Sequence, residues 1–285
     1  MTTYAITGAT GHLGWLVIEK LLSRGVPAGE IVAVVRAPEK AAALAEQGVI
    51  VRKGDYSAPE TLPAALAGVD VLLLVSASEI GQRLPQHHAV VDAAKAAGVG
   101  RIVYTSLPHA DTSQLSLAPE HKGTEEYIRA SGIPYTFLRN GSYFENFLPQ
   151  LDQYLATGVI VGATDDAPVA GASRADLAEA AAVVLTTPGH EGAVYELGGA
   201  PFTQSDLAAA ITEVTGTPVA YHNVTVPELV AIYTAAGMDE HTAAFIADFD
   251  AGTATGDWNI TGDDLAHLLG RPPITLTDAI RAAHT

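Results

Sequence analysis

The stretch that decides the fold is Tyr4-Ala5-Ile6-Thr7-Gly8-Ala9-Thr10-Gly11-His12-Leu13-Gly14. A short apolar strand turns here directly into a helix, and the apolar residues that follow recur at helical spacing. Gly8 permits the tight turn, Gly11 lets backbone N–H groups approach an anion, and Gly14 packs the helix against the sheet. Glycine-rich turns are common, but one that follows a strand and opens an amphipathic helix is typical of a pyrophosphate-binding turn.

Composition narrows the class of protein. The length of 285 residues suits one large α/β domain, or a domain with a smaller lobe, and the 48% hydrophobic content is ordinary for a globular protein. A formal net charge of −17 argues against a nucleic-acid partner, because phosphates would be repelled. The sequence contains no cysteine, no signal-peptide pattern and no apolar run of membrane-spanning length. These features predict a cytoplasmic protein without a membrane partner.

Apolar strands alternate with helical segments through the first half of the chain. After the first strand, the sequence predicts strands at residues 31–35, 49–51, 69–75, 101–105 and 135–139, and helices at 39–47, 85–97 and 120–131. Gly48, Gly98 and Gly132 each follow a helix, where a left-handed C-terminal cap is expected. Continuous apolar strands separated by helices indicate a parallel sheet covered on both faces. We therefore predict an α/β fold with a Rossmann-type doubly wound sheet.

The composition changes after Asn140, where Gly, Pro and Asp become more frequent. Residues 1–140 are predicted to form the dinucleotide-binding domain, and residues 173–197 to rejoin its sheet through a strand at 193–197. Residues 141–172 and 198–285 are predicted to build a smaller, discontinuous α/β substrate lobe, with a helix at 205–215 and a short strand at 219–224. The oligomeric state stays open, with a homodimer as one option.

Arg36 ends the second predicted strand, and Lys40 lies one helical turn further on. A site built for NAD usually carries Asp or Glu at this place, where it accepts hydrogen bonds from both ribose hydroxyls. A carboxylate there would repel a 2′-phosphate, whereas a guanidinium can bind it bidentately. A solvated arginine is the alternative, but the upstream glycine turn favours NADPH as the cofactor.

Other strand ends supply further candidates along the expected cofactor path. Asp55 follows the third strand, where it could accept a hydrogen bond from the adenine amino group, although a plain turn explains it nearly as well. Ser76-Ala77-Ser78 end the fourth strand with small residues that permit close approach of the backbone to ribose and nicotinamide. Thr105 ends the fifth strand in a similar position. Each of these residues would also suit an ordinary strand exit.

Several motifs together carry a family resemblance. They are Thr7-Gly8-Ala9-Thr10-Gly11-His12-Leu13-Gly14, Val35-Arg36-Ala37-Pro38-Glu39-Lys40, Gly54-Asp55-Tyr56, Tyr104-Thr105-Ser106, Ser78-Glu79-Ile80-Gly81-Gln82-Arg83 and Leu138-Arg139-Asn140-Gly141. With them the chain resembles the NmrA-like, atypical short-chain dehydrogenase/reductase family, and over nearly its whole length its quinone-reducing members. The resemblance implies NADPH binding and the reduction of quinone-like acceptors.

The predicted cofactor-binding residues follow from the glycine turn, the strand ends and this resemblance. The turn and strand ends contribute Gly8, Ala9, Thr10, Gly11, His12, Leu13, Arg36, Asp55, Ser76, Ala77, Ser78 and Thr105. The resemblance adds Asn140, Gly141, Ser142, Tyr143, Phe144 and Glu145, which it implies beside the nicotinamide, and Arg174.

The chain departs from ordinary short-chain dehydrogenases on the helix after the fifth strand. Those enzymes carry Tyr-x-x-x-Lys there, in which the tyrosine transfers a proton and the lysine lowers its pKa. Aligned on Glu125, this chain has His121 at the lysine position and Leu117 at the tyrosine position. The missing tyrosine argues against alcohol or carbonyl chemistry by that route. His121 is the catalytic candidate, able to bond the nicotinamide ribose or assist protonation, and a surface histidine is the alternative.

A quinone needs less help from the protein, because it accepts hydride readily and the resulting phenolate can be protonated by solvent. This chemistry agrees with what the resemblance implies, an NADPH:quinone oxidoreductase that transfers hydride directly, without flavin or metal. Tyr143, Phe144 and Phe147 are candidate walls for a flat acceptor, with core packing as the alternative. Reduction of cationic triphenylmethane dyes and a non-catalytic NADP(H) sensor that binds a partner protein stay as competing functions. An isomerase or epimerase is disfavoured because the tyrosine is missing.

Two other groupings do not fit metal sites. His87 and His88 are adjacent and point to different helix faces, which argues against shared ligation of a metal. Residues 248–252 weakly resemble a calcium loop, but their spacing is wrong and the closing Glu is absent, so we predict a solvated turn.

Overall fold

The computed structural model describes residues 1–284. Its strands are β1 Tyr4–Thr7, β2 Ile31–Val35, β3 Ile50–Lys53, β4 Val71–Leu74, β5 Arg101–Ser106, β6 Tyr135–Asn140, β7 Ser142–Tyr143, β8 Val159–Gly162, β9 Val169–Ala172, β10 Val194–Leu197, β11 Pro201–Phe202 and β12 Ala220–Asn223. Its α-helices are α1 His12–Ser23, α2 Ala42–Glu46, α3 Leu62–Leu66, α4 Arg83–Ala97, α5 Ala118–Ser131, α6 Leu151–Thr157, α7 Arg174–Thr186, α8 Gln204–Thr215, α9 Val226–Ala235, α10 Glu240–Thr255, α11 Asp264–Leu269 and α12 Leu276–His284.

The chain divides into two compact units. Unit 1 consists of Met1–Ala110, Pro119–Asn140 and Arg174–Tyr195. Unit 2 consists of Asp111–Ala118, Gly141–Ser173 and the chain from Glu196 onward. Each unit is therefore assembled from separate stretches of sequence.

A seven-stranded sheet in the order β10-β6-β5-β4-β1-β2-β3 forms the centre of the fold. β1 pairs in parallel with both β2 and β4, so that Tyr4 lies opposite Ile31 on one side and Val71 on the other. The strand order reverses direction at β1, as it does in doubly wound sheets, where the carboxyl ends on either side of the reversal leave a crevice. The predicted α/β fold is confirmed, including the return of residues 193–197 to this sheet.

Strands in the middle of the sheet are buried because helices cover both faces. β2 and β5 are buried along their whole lengths, which explains the unbroken apolar sequence of β2 and the apolar centre of β5 at Ile102–Tyr104. β3 lies at the edge and is half exposed, so it continues through Arg52 and Lys53, beyond the apolar run predicted at 49–51. The Arg52 guanidinium bonds the carbonyl oxygens of Ala65 and Ala67, which keeps that side chain on the edge of the sheet.

Unit 2 contains two smaller groups of strands with helices around them. β11, β9 and β7 form one group, and β12 pairs in parallel with β8, which confirms the strand predicted near 219–224. α8 and α9 each begin with a capping box, built on Thr203 and Thr225. Among residues 1–284, no helix has the length and apolar character needed to cross a membrane.

The solvated turn predicted at 248–252 is wrong, because these residues lie inside α10. Asp239 caps this helix by accepting a hydrogen bond from the Thr242 N–H, and the helix continues to Gly256. Gly252 sits against the Leu115 side chain, where a larger residue would not fit. A glycine that reads as a turn signal in the sequence therefore serves here as a packing position in a helix.

Candidate cofactor site and a second cavity

The glycine turn is shaped by close backbone approach. Gly8 adopts a left-handed φ of +58°, and its carbonyl oxygen accepts a 2.8 Å hydrogen bond from the Gly11 N–H. A Cβ on Gly14 would lie 2.5 Å from the Gly8 oxygen, so only glycine allows α1 to start this close to the turn.

The first turn of α1 is open to an anion. Gly11 is its N-cap and supplies no side-chain cap, and the first turn contains no acidic residue. The N–H groups of His12, Leu13 and Gly14 have no acceptors within the helix, because every α-helix leaves its first amides in this state. Such a helix start attracts phosphate through both the N–H groups and the helix dipole. The residues present therefore fit the pyrophosphate of a dinucleotide.

A cavity of about 320 Å³ adjoins this turn within unit 1. It is lined by Gly8, Thr10, Gly11, Val34, Val35, Arg36, Gly54, Asp55, Tyr56, Ser57, Val75, Ser76, Ala77, Ser78, Glu79 and Gln86. The lining brings together the ends of four neighbouring strands, β1, β2, β3 and β4. Eight of the predicted cofactor residues lie in it, namely Gly8, Thr10, Gly11, Arg36, Asp55, Ser76, Ala77 and Ser78.

Side chains from other elements fix the loop between β4 and α4, which forms one wall of this cavity. Ala77 donates its N–H to His87 Nε2 at 2.9 Å, and its carbonyl oxygen accepts from Arg83 Nε at 2.8 Å. Ser76 donates its N–H to Thr105 Oγ1, and Val75 donates to Thr7 Oγ1, both at 2.9 Å. The predicted residue Thr105 therefore lies behind the wall, where it holds the backbone of Ser76.

His87 can hold Ala77 only while its ring is neutral. Because Nε2 accepts the Ala77 N–H, the ring proton is on Nδ1 and points to Thr124 Oγ1, 3.0 Å away. Burial, together with the nearby Arg83 charge, lowers the pKa of His87 to about 3. The expectation that His87 and His88 face different surroundings is confirmed, since His87 is fully buried and His88 stacks on Tyr127.

The Glu79 carboxylate forms an ion pair with Arg36 at the opening of the cavity. Arg36 Nη1 lies 3.2 Å from Glu79 Oε1, and the other carboxylate oxygen of Glu79 accepts a 2.7 Å hydrogen bond from Gln86 Nε2. Gln86 also donates to Ser57 Oγ. Glu79 and Gln86 were not predicted as site residues, because no spacing rule places a residue after β4 next to one after β2. The only signal for Glu79 was its place in a motif that carries the family resemblance, and Gln86 had none.

His121 is buried, so the alternative of a surface histidine is wrong. Its Nδ1 lies 2.8 Å from the Tyr104 hydroxyl oxygen, and burial lowers the pKa of His121 well below its usual value. Burial also raises the pKa of Tyr104. The pair is held inside unit 1 and is not part of the described cavity lining. A direct catalytic role for His121 stays a prediction.

Glu125, on which the helix register was based, is a buried structural anchor. Its two carboxylate oxygens accept hydrogen bonds from Arg139 Nε at 2.9 Å and Nη2 at 2.8 Å, and Ser106 Oγ donates to Oε1 at 2.6 Å. This bidentate ion pair joins α5 to the ends of β5 and β6. It explains why a carboxylate occupies this position on the helix.

The remaining predicted cofactor residues lie outside this lining. His12 is exposed at the start of α1, whereas Ala9 and Leu13 are buried beneath the turn. Arg174 is the first residue of α7 in unit 1. Asn140 ends β6, and residues 141–145 run through β7 in unit 2. Their contacts with a cofactor stay predictions.

Unit 2 has its own cavity, of about 370 Å³. Six aromatic rings contribute to its lining, those of Phe147, Tyr154, Tyr233, Phe245, Phe249 and Trp258. Phe249 and Trp258 stack with ring centroids 5.0 Å apart and an angle of 12° between the rings. Of the predicted acceptor walls, Phe147 lines this cavity, Phe144 is packed in the core near Phe202, and Tyr143 is half buried in β7.

The parallel sheet, the glycine turn and the adjoining cavity define unit 1 as a Rossmann-type dinucleotide-binding unit. The chain belongs to the NmrA-like family, whose model matches residues 2–259. Quinone oxidoreductase 2 of Escherichia coli strain K12 is 49% identical to it over 277 residues, which make up 97% of this chain and 96% of that protein.

Solved structures with the same fold extend the comparison. An NADPH-dependent quinone oxidoreductase from Escherichia coli, in complex with NADPH, matches with a TM-score of 0.96 and 48% identity, covering 99% of this chain and 100% of that one. The triphenylmethane reductase of a Citrobacter species, in complex with NADP(H), matches with a TM-score of 0.95 and 41% identity over 99% of this chain and 100% of that one.

Proposed function

We propose that this chain is an NADPH-dependent oxidoreductase that transfers hydride directly to quinone-type acceptors. The observation that carries the proposal is the anion-binding glycine turn with Arg36 at the same cavity, in a chain 49% identical to a quinone oxidoreductase. Unit 1 acts as the NADPH-binding domain, and unit 2 supplies the acceptor-binding lobe. The enzyme works in the cytoplasm and needs no nucleic-acid partner, in keeping with its net charge of −17.

Each part of the unit 1 cavity has a defined task in this proposal. The amides at the start of α1 hold the pyrophosphate, and Arg36 binds the 2′-phosphate after it leaves Glu79. The fixed backbone from Val75 to Ala77 provides a wall against which the ribose and nicotinamide are oriented. When bound, NADPH supplies the hydride.

The proposed reaction requires little acid–base catalysis by the protein. The chain lacks the Tyr-x-x-x-Lys pair, and the buried His121 is bonded to Tyr104 within unit 1. Protonation of the reduced acceptor by solvent satisfies the proton balance. A catalytic role for His121, in which it would bond the nicotinamide ribose or assist protonation, stays a prediction.

Stopped-flow measurement of NADPH oxidation by 1,4-benzoquinone tests the function. We expect absorbance at 340 nm to decay far above the uncatalysed rate, with a strong preference for NADPH over NADH. Absence of turnover, together with tight binding of NADP⁺ and NADPH, would instead establish a dinucleotide sensor. The number of subunits per particle, for which a homodimer is one option, is measured on the same sample by light scattering.

Reduction of triphenylmethane dyes is a second candidate function. It is favoured by the match to the Citrobacter reductase and by the strongly acidic character of unit 2, which would attract cationic dyes. Turnover of a benzoquinone and a triphenylmethane dye, measured side by side at equal NADPH concentration, separates the two activities.

A further inference from the structure

One carboxylate lies in the aromatic cavity of unit 2. Asp250, on α10, lines the cavity together with the six rings, and its Oδ2 accepts a 2.7 Å hydrogen bond from the Ala163 N–H. Within residues 1–284 this is the only hydrogen bond of the Asp250 carboxylate, and no lysine or arginine lies within ion-pair distance of it. The carboxylate is thus held in place by one backbone amide and lacks a counter-charge.

The groups around Asp250 cannot neutralise it. Tyr154 and Tyr233 line the same cavity, and the Asp250 charge, in addition to burial, raises the pKa of both hydroxyls. Tyr221 packs nearby and shows the same response. Burial also raises the pKa of Asp250 itself, as expected for a carboxylate removed from water without a cation.

The charge of unit 2 points the same way. It contains 17 of the chain's 32 acidic residues but only Arg271 and Arg281 among its 15 basic ones, which gives a formal charge of −15 out of −17. Neither arginine lines the cavity. The field of the whole unit therefore raises the local concentration of cations and opposes the entry of anions.

We propose that the unit 2 cavity is a binding site for small organic cations that carry apolar or aromatic groups, with Asp250 as the counter-charge. Aromatic faces attract quaternary ammonium and delocalised cations through their quadrupoles, and the effect grows when water is excluded. A carboxylate beside such faces adds a direct Coulomb attraction. A cavity of about 370 Å³ accommodates a compact drug-sized ligand. The site lies in unit 2, the proposed acceptor-binding lobe, but cation binding there requires neither NADPH nor turnover.

Binding of benzyltrimethylammonium, followed by fluorescence, tests the site. The chain has two tryptophans, and a Trp15→Phe background leaves Trp258 in the cavity wall as the only reporter. We expect saturable quenching by this cation, and at least about 10-fold weaker binding of benzyl alcohol and benzoate to the same protein. No saturable binding, or equal affinity for the neutral probe, would overturn the proposal without any change to the cavity.

Asp250→Asn supplies the matched variant, because the amide oxygen can still accept the Ala163 N–H. We expect it to weaken benzyltrimethylammonium binding about 10-fold or more and to leave benzyl alcohol binding unchanged. Asp248→Asn on the same helix is the control, since Asp248 bonds Ser116 and does not line the cavity. Equal losses in both variants would reduce the effect to net charge and refute the assignment to Asp250. Turnover of benzoquinone, measured in parallel, shows whether the reductase proposal stands or fails separately.

Discussion

The two cavities are built on opposite principles. The unit 1 cavity is shaped mainly by backbone, at the glycine turn and along a loop whose amides and carbonyls are held by buried side chains. The unit 2 cavity is shaped by side chains, six of them aromatic, around a carboxylate with no cation. Unit 1 has 13 basic and 15 acidic residues and is nearly neutral, whereas unit 2 is strongly acidic. One chain therefore offers separate surroundings to an anionic cofactor and to uncharged or cationic ligands.

If backbone shape defines the unit 1 site, Gly14→Ala should have the largest effect. The added Cβ would lie 2.5 Å from the Gly8 oxygen, so α1 must move away from the turn. The N–H groups at the start of α1 would then no longer point at the pyrophosphate. We expect NADPH affinity, measured by nucleotide fluorescence, to fall more than about 1,000-fold.

Gly29→Ala is the control for that change, because Gly29 has open space around it. It should bind NADPH like the wild type. Affinity within about 3-fold of wild type in Gly14→Ala would show that the turn does not hold the cofactor.

The unit 1 cavity also differs from the unit 2 cavity in having a positive charge, that of Arg36, at its opening. Arg36→Asp replaces the guanidinium proposed to meet the 2′-phosphate with a group that repels it. We expect the Kd for NADPH to rise about 100-fold and the Kd for NADH, which lacks that phosphate, to change less than about 3-fold. Arg24→Asp, an equal charge change near Thr186, should alter neither. Equal losses for both cofactors would remove Arg36 from this role.

Acid should loosen unit 1 through His87. Its folded-state pKa of about 3 lies below the usual value of 6.5, so the unfolded chain binds the proton more readily. The resulting stability is complete above about pH 6.5 and is lost as the pH falls toward 3. We expect His87→Gln, whose amide oxygen can still accept the Ala77 N–H, to lose about 1 kcal/mol per pH unit of this dependence between pH 4 and 6.

Urea unfolding at a series of pH values measures this difference. His88→Gln, one residue along the same helix and stacked on Tyr127 in the wild type, should keep the wild-type slope. An unchanged slope in His87→Gln would mean that the ring is not kept neutral in the folded protein.

The two units differ, for a physical reason, in how much of their structure could be predicted from the sequence. The Rossmann-type sheet and the glycine turn were predictable, because they depend on local patterns such as apolar strands and glycines at fixed spacing. Thr105 could be placed at a strand end, but its bond to the Ser76 N–H depends on the pairing of two distant strands. Asp250 was assigned to a solvated turn, because residues 248–252 weakly resemble a calcium loop with the wrong spacing, but they lie inside α10, where Gly252 is a packing position. Cavities made by side chains from many elements leave no such local pattern.

The last and weakest effect that we predict concerns Glu79, which forms an ion pair with Arg36 at the opening of the unit 1 cavity. The pair is largely exposed, and its partner Gln86 holds the carboxylate close to where a 2′-phosphate would bind. Glu79→Gln keeps a hydrogen-bonding group for Gln86 but releases Arg36 and removes one negative charge beside the phosphate. Because exposed ion pairs contribute little, we expect NADPH to bind only about 3- to 10-fold more tightly, with NADH affinity unchanged.

Glu60→Gln, which changes an exposed carboxylate elsewhere in unit 1, is the control for net charge and should bind NADPH like the wild type. Tighter NADPH binding by Glu79→Gln alone, lost at high salt, would identify Glu79 as the residue that limits the preference for NADPH. Weaker binding would instead mean that the carboxylate itself contacts the cofactor.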